Sequence, residues 1–231
     1  MGEHRKVLVA ACPRSGTQYT AALLKKSGLK VRHENVGVDG CVSWWFGSAS
    51  SPVDPGYGNS SVAHEDRKRP QDFTFDVTAH LIRHPLSCCP SIIGFPFFTK
   101  SVWRYIEANT GIHVSMPDPT RTVKFWVSWN KEIAKRADLT LRLEHMAEDW
   151  PAFARALDLS SEAVPTIKAV NVRRNLKGWT PRYFAWSEVD RRVALDAFRL
   201  AEQFGYDASR QPAREHTVTG EALDKPRKQD R

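Results

Sequence analysis

The stretch that most constrains this chain is Lys6-Val7-Leu8-Val9-Ala10-Ala11-Cys12-Pro13-Arg14-Ser15-Gly16-Thr17-Gln18-Tyr19. Its apolar run from Val7 to Ala11, with charge before it and Pro13 after it, reads as a buried strand. A helix is expected from Thr17 to Ser27, with Ala21, Leu23 and Leu24 apolar and Gly28 as the stop. A strand-to-helix turn leaves backbone N–H groups without intrahelical partners, at an end that carries partial positive charge. Such a turn suits a phosphate or a sulfate. Arg14 adds a fixed cation, and Ser15 and Thr17 add hydroxyls.

The turn departs from the ATP-binding loop, which needs a second glycine and a Lys followed by Ser or Thr. It also departs from a phosphatase loop built on a cysteine, because Gln18 stands six residues after Cys12 where that loop needs Arg. It resembles the 5′-phosphosulfate loop of the sulfotransferases, Pro-(Lys/Arg)-Ser-Gly-Thr with an aromatic two positions on. Pro13, Arg14, Ser15, Gly16, Thr17, Gln18 and Tyr19 fit that pattern, with Tyr19 in the aromatic slot. The resemblance implies that Tyr19 lies against adenine. Packing of the first helix is the competing reading for that side chain.

A second signature is His80-Leu81-Ile82-Arg83-His84-Pro85, with Ser91 eight residues after Arg83. An Arg at a strand end and a Ser on the following helix can share one phosphate. This resembles the sulfotransferase 3′-phosphate site, where the strand ends Arg-Asp-Pro. His84 replaces that Asp, which leaves open what performs the structural work of the Asp. Leu139-Thr140-Leu141-Arg142-Leu143-Glu144-His145-Met146 is similar to a third family segment, and Arg142 and Glu144 read there as structural. Arg173, Arg174 and Lys177 before Gly178 resemble a late basic loop that closes over the 3′-phosphate. A solvated basic loop is the alternative.

Strand patterns at Lys30–Glu34, Phe73–Ile82 and Asp138–Leu143 alternate with helical ones at Leu86–Ile93, Lys100–Asn109, a segment with Asp118 as its cap and Pro119 as its opening helical residue, and Glu148–Leu157. Residues 161–170 are a further helical pattern, bent at Pro165. The last helix is expected to start at Ser187, with Ser187 and Asp190 as a capping box, and to stop at Gly205. Residues 36–40, with two glycines, read as a loop leading into Val42–Phe46, and residues 47–71 and 171–182 read as surface loops. The alternation argues an α/β fold with a mostly parallel sheet flanked by helices. The resemblance narrows this to a P-loop NTPase-like sulfotransferase fold over residues 1–207, followed by a polar, basic, disordered tail at 208–231.

The resemblance implies transfer of a sulfuryl group from 3′-phosphoadenosine 5′-phosphosulfate (PAPS) to a hydroxyl or amine, with adenosine 3′,5′-bisphosphate as product and no metal. Arg14 would sit near the bridging oxygen of the phosphosulfate. A hydroxyl acceptor needs a general base. His33 and Glu34 end the second strand beside the turn, and Glu34 is favoured, with His33 second. Strand alternation should send the two to opposite faces, so that only one reaches the acceptor. The competing reading is a Glu34 ion pair with Arg32 or Lys30 and a packed His33. Trp44, Trp45 and Phe46 could wall an acceptor pocket or belong to the core.

Charge agrees with an anionic ligand. The net charge is +8, and +6 of it lies outside the tail. A nucleotide kinase or a non-catalytic nucleotide-binding protein are the alternatives. Nucleic-acid binding is not expected, because no aromatic-plus-basic RNA motif is present. Cys12, Cys41, Cys88 and Cys89 lack metal-ligand spacing and read as reduced thiols. With no apolar run of membrane-spanning or leader length, a cytoplasmic location is expected. A small-molecule or glycan acceptor is the expected partner.

Overall fold

The computed structural model describes residues 5–47, 73–167 and 180–210. Strand β1 (Val7–Ala11) is buried along its whole length and lies at the centre of a five-stranded, all-parallel sheet. The order is β2 (Arg32–His33), β3 (Gly40–Ser43), β1, β4 (Val77–Ile82), β5 (Leu139–Arg142). β1 pairs β3 from Val7 opposite Gly40, and pairs β4 from Val7 opposite Val77. The protein is thus α/β, as the alternation of patterns implies.

Pleating sends successive side chains of β1 to opposite faces. Val7, Val9 and Ala11 join one apolar cluster, with Leu23 and Leu24 of α1 (Thr17–Lys26) and Trp150 and Phe153 of α5 (Met146–Ala156). Leu8, Ala10 and Cys12 join the other. That second cluster is built from α3 (Lys100–Thr110), α4 (Thr120–Ala134) and α6 (Arg191–Gln203). The sheet is therefore covered on both faces, as an all-parallel sheet requires.

Several boundaries differ from the sequence pattern. β2 is only Arg32–His33, because the Asp39 carboxylate takes the Lys30 amide at 2.5 Å and Glu34 turns out of the strand with φ 56. β3 begins at Gly40, the residue at which the sequence pattern ends the loop of residues 36–40. Gly40 has φ 123, and a Cβ there would lie 1.9 Å from the Val7 carbonyl oxygen, so glycine lets β3 approach β1. The expected helix at Leu86–Ile93 is instead a short α2 (Pro85–Cys88) that tightens into a 3₁₀ turn at Cys89–Ser91. Pro90 cannot donate to an α-helical ladder and disfavours the α conformation of the residue before it. Residues 161–167 are not helical, while 168–170 lie outside the described residues.

Pro119 is the cap residue of α4 rather than its first turn, and Asp118 instead accepts from the Arg121 and Thr122 side chains. At α6 the cap is Asp190, whose carboxylate accepts from the amides of Arg192 and Val193. Ser187 lies in a separate 3₁₀ turn, Trp186–Glu188. A short carboxylate at this position serves the first helical amides without needing the upstream Ser. Gly205, with φ 76, follows the end of α6, in agreement with its reading as the stop.

The corrected cap has a measurable consequence. Asp190→Ala should lower unfolding stability by about 1 kcal/mol, and Ser187→Ala by less than about 0.5 kcal/mol. Urea unfolding of both variants checks this, and equal losses would contradict the assignment.

Candidate functional site

The parallel sheet places the C-terminal ends of β1, β2 and β4 on one edge, the side where open α/β sheets bind ligands. Beyond β1 the chain makes a tight turn, with the Ser15 amide donating to the Cys12 carbonyl at 3.2 Å. Arg14 and Gly16 both take left-handed backbone conformations, with φ 69 and 91. A Cβ on Gly16 would meet Leu143 Cδ1 at 2.6 Å. Gly16 caps α1 without a side-chain hydrogen bond. Among the described residues, the amides of Gly16, Thr17, Gln18 and Tyr19 have no acceptor. These unpaired donors at the start of α1 are the chemistry that an anion fits.

The side chains of the turn are used unevenly. Ser15 is 0% exposed, and its hydroxyl packs 3.6 Å from Cys88 Sγ. Cys88 also donates to the Pro13 carbonyl at 3.2 Å, so the buried thiol braces the turn from below. Ser15 and Pro13 therefore contribute backbone shape to this edge. Gln18 is exposed. Tyr19 packs in part against the α1–α5 cluster, and its buried hydroxyl has no partner. Burial pushes that phenol up from its ordinary value.

Arg14 and Arg83 converge. Arg83 follows β4, and its Nη1 donates to the Arg14 carbonyl at 3.0 Å. The Arg14 guanidinium lies over the Phe95 ring, 4.4 Å from its centroid. Burial, and to a lesser degree the Arg83 charge, draws the Arg14 pKa down. Two cations near the ends of β1 and β4 make this edge electropositive. Ser91 is half-buried, and its hydroxyl donates back to the Ser87 carbonyl at 3.2 Å.

Glu144 organises the Arg83 end. Its carboxylate lies 3.7 Å from Arg83 Nε, accepts from the His84 amide at 3.3 Å and accepts from the Tyr206 hydroxyl at 2.7 Å. Arg142 pairs elsewhere, with Asp149 at 2.7 Å and Glu148 at 3.2 Å. His84 has a structural role of its own. Its Nδ1 accepts from the Leu86 amide at 3.2 Å, which caps α2, and its Nε2 donates to the Asp207 carbonyl at 3.0 Å. The imidazole thus performs the capping that a carboxylate would, and also fastens the segment after α6.

His33 and Glu34 do not part to opposite faces, contrary to the expectation from strand alternation. Because φ of Glu34 is positive, the strand ends at His33 and both side chains turn to the same place, with His33 Nε2 3.3 Å from Glu34 Oε1. Neither the Arg32 nor the Lys30 ion pair to Glu34 is present among the described residues. His33 Nε2 is also 2.9 Å from Thr17 Oγ1, which joins the pair to the turn between β1 and α1. Ser43 donates to Glu34 Oε2 at 2.6 Å, and the Trp44 amide is 3.5 Å from Oε1. Burial raises Glu34 to about 8 against these hydrogen bonds, and burial lowers His33 to about 4. Near neutral pH the pair is an uncharged imidazole beside a protonated carboxyl.

Trp44 and Phe46 are core residues. Trp44 packs on Trp129 and Tyr105, and its carbonyl accepts from Trp129 Nε1 at 3.1 Å. Trp45 is half-buried and stacks on Trp44. Arg173, Arg174 and Lys177 lie outside the described residues. Sequence reasoning missed Ser43, Cys88 and Phe95 as neighbours of the site. Only the adjacency of Ser43 to the Trp pair and of Cys88 to Cys89 marked them, and neither spacing reveals a contact across strands. The four cysteines are buried free thiols. Among the described residues no helix is long and apolar enough to cross a membrane, and no cluster of His, Cys, Asp or Glu could hold a metal.

The two shifted groups make stability depend on pH in opposite senses. Glu34 keeps its proton in the fold up to about pH 8 but loses it near 4.5 when unfolded, so its stabilisation fades as pH rises across that window. His33 titrates near 6.5 when unfolded and near 4 in the fold, so its contribution is lost as pH falls from 6.5. Of the pair, only Glu34 acts between pH 6.5 and 8. Wild-type stability should fall there relative to Glu34→Gln by up to about 1.4 kcal/mol per pH unit. Denaturant titrations at stepped pH check the difference, and parallel curves would refute the buried, protonated Glu34.

Comparison of the chain with protein-family models, with curated proteins and with solved structures finds no match.

Proposed function

We propose that this chain is a sulfotransferase of P-loop-like α/β fold, which moves a sulfuryl group from PAPS to a hydroxyl or amine and releases adenosine 3′,5′-bisphosphate. The observation that carries this reading is the meeting of two cation-bearing strand ends with a titratable pair. Arg83 donates to the Arg14 carbonyl at 3.0 Å, and His33 lies 2.9 Å from Thr17 of the same turn. A donor with phosphate at both ends of its nucleoside needs two basic anchors. The unpaired amides of residues 16–19 and Arg14 supply one, and Arg83 with Ser91 supplies the other.

The chemistry is an in-line displacement at sulfur. The acceptor oxygen forms a bond to sulfur while the bond from sulfur to the bridging phosphate oxygen breaks. Negative charge grows on that leaving oxygen, where the turn amides and Arg14 offset it. The acceptor proton goes to the His33–Glu34 pair. Glu34 is the stronger base of the two, at about 8 against about 4, so the proton ends on its carboxylate. His33 holds that carboxylate beside the turn. Only the ionised form of Glu34 can act, so kcat/KM should rise with pH toward about 8.

Thermal unfolding with ligands tests the donor class. Adenosine 3′,5′-bisphosphate at 100 times its Kd should stabilise the fold by about 2.7 kcal/mol, and ATP with magnesium should do so far less. Stabilisation by ATP alone would favour a kinase. Glu34→Gln should keep bisphosphate affinity, lower kcat by roughly 100-fold or more, and remove the rise in rate toward pH 8. Full turnover in that variant would remove Glu34 from the mechanism. Arg14→Ala should weaken both donor binding and turnover.

A further inference from the structure

A cavity of about 120 Å³ lies between the segment that follows the Cys89–Ser91 turn and the first turns of α3 and α4. Two contacts tie it to the site. Phe95 lines it and carries the Arg14 guanidinium 4.4 Å from its ring centroid. Phe98 lines it and stacks on Trp44, with centroids 6.3 Å apart, and the Trp44 amide is 3.5 Å from Glu34 Oε1. The cavity therefore adjoins both the cation and the carboxyl that the proposed transfer uses.

Its other end is an ion pair. Arg121 Nη2 donates to Asp118 Oδ2 at 2.8 Å, and the Thr122 hydroxyl donates to Asp118 Oδ1 at 3.0 Å. Arg121 Nη1 donates to the Val114 carbonyl, and the guanidinium lies 4.2 Å from the Trp103 ring centroid. Asp118, Arg121, Thr122 and Trp103 all line the cavity. The two charges cancel, so this end favours neither an anion nor a cation. Hydrogen-bonding capacity remains: each terminal nitrogen of Arg121 has a second N–H, and each oxygen of Asp118 has a second lone pair. A donor beside an acceptor matches two adjacent hydroxyls, one accepting from Arg121 and the other donating to Asp118.

Sites that bury a drug-sized ligand start at about 300 Å³, so this cavity has room for a single ring. A simple phenol has one hydroxyl and leaves half of the donor–acceptor pair unused. A pyranose has adjacent hydroxyls at its rim and an apolar C–H face that lies flat on an aromatic ring. We infer that the cavity holds a neutral pyranose, recognised by Asp118 and Arg121 through adjacent hydroxyls and by Phe98 through its apolar face. That this sugar is the sulfuryl acceptor rests on the reading above. In that role one of its hydroxyl oxygens forms the bond to sulfur, the bond from sulfur to the bridging phosphate oxygen breaks, and the hydroxyl proton passes to Glu34.

Saturation-transfer NMR on the full chain tests the site. The probes are the methyl pyranosides of glucose, galactose and mannose, the anionic methyl glucuronopyranoside, and 4-methylphenol. Wild type should bind at least one neutral pyranoside and neither of the other two probes. Asp118→Asn leaves Arg121 uncompensated. It should weaken the neutral pyranoside by roughly tenfold and admit the glucuronoside, an inversion that a misfolded variant cannot give. Phe98→Leu keeps the ion pair and should weaken the neutral pyranoside without admitting the glucuronoside. Failure of every pyranoside to bind wild type, preference for 4-methylphenol, or equal pyranoside binding in Asp118→Asn would overturn the inference. None of these readouts uses a nucleotide, so they stand or fall apart from the donor reading. Incubation of the bound pyranoside with PAPS then tests its role. A sulfated sugar supports it, and binding without transfer keeps the sugar site but overturns the acceptor assignment.

Discussion

β1 hydrogen-bonds in parallel to β3 on one side and β4 on the other, and the geometry of the site follows from that pairing. Parallel neighbours all end on the same edge, so the residue after each strand end is delivered to one place. Arg14 follows β1, Glu34 follows β2 and Arg83 follows β4, although they are far apart in the chain. The sheet has little freedom to shift. Its faces are filled by two apolar clusters, and β1 alternates side chains into both of them. A slip of one residue would exchange every side chain between the faces.

Backbone conformation then refines what the strands deliver. Arg14, Glu34 and Asp158 are the non-glycine residues with positive φ among the described residues. Two of them belong to the candidate site. Such conformations cost about 1–3 kcal/mol each and persist only where the surroundings impose them. At Arg14 the turn between β1 and α1 imposes it, with Cys88 filling the space beneath. At Glu34 the hydrogen bonds from Ser43 and Trp44 hold the carboxylate in place. Each distortion turns a side chain or an amide toward the same edge.

Charge is arranged on a similar plan. Glu144 gathers Arg83, the His84 amide and the Tyr206 hydroxyl, which ties the end of β4 to the segment after α6. The imidazole of His84 strengthens that tie through Asp207 while capping α2. This shows how an imidazole can cap a helix as a short carboxylate does. The cap requires only an acceptor at that distance, and neutral imidazole Nδ1 supplies one. Burial keeps His84 below its ordinary pKa, in the form that can accept.

What the sequence determined by itself was local. Val7–Ala11 as a buried strand, the turn at Pro13–Thr17, β4 running up to Arg83 and Pro85 opening α2 could all be read from apolar runs and from the restricted dihedral angles of Pro and Gly. Those signals act over a few residues, so spacing carries them. They failed at the first residue of β3, where Gly40 signalled the end of a loop although its missing Cβ serves close strand pairing, and at α6, where Ser187 imitated a cap that Asp190 provides. Tertiary structure alone decided that His33 and Glu34 meet, that Ser15 turns inward onto Cys88, that Glu144 serves Arg83 and not Arg142, and that the Arg182 amide reaches the Pro90 carbonyl. The physical reason is common to all of these. Each depends on which strands are neighbours and on a single backbone dihedral or burial term, and neither quantity leaves a period in the sequence.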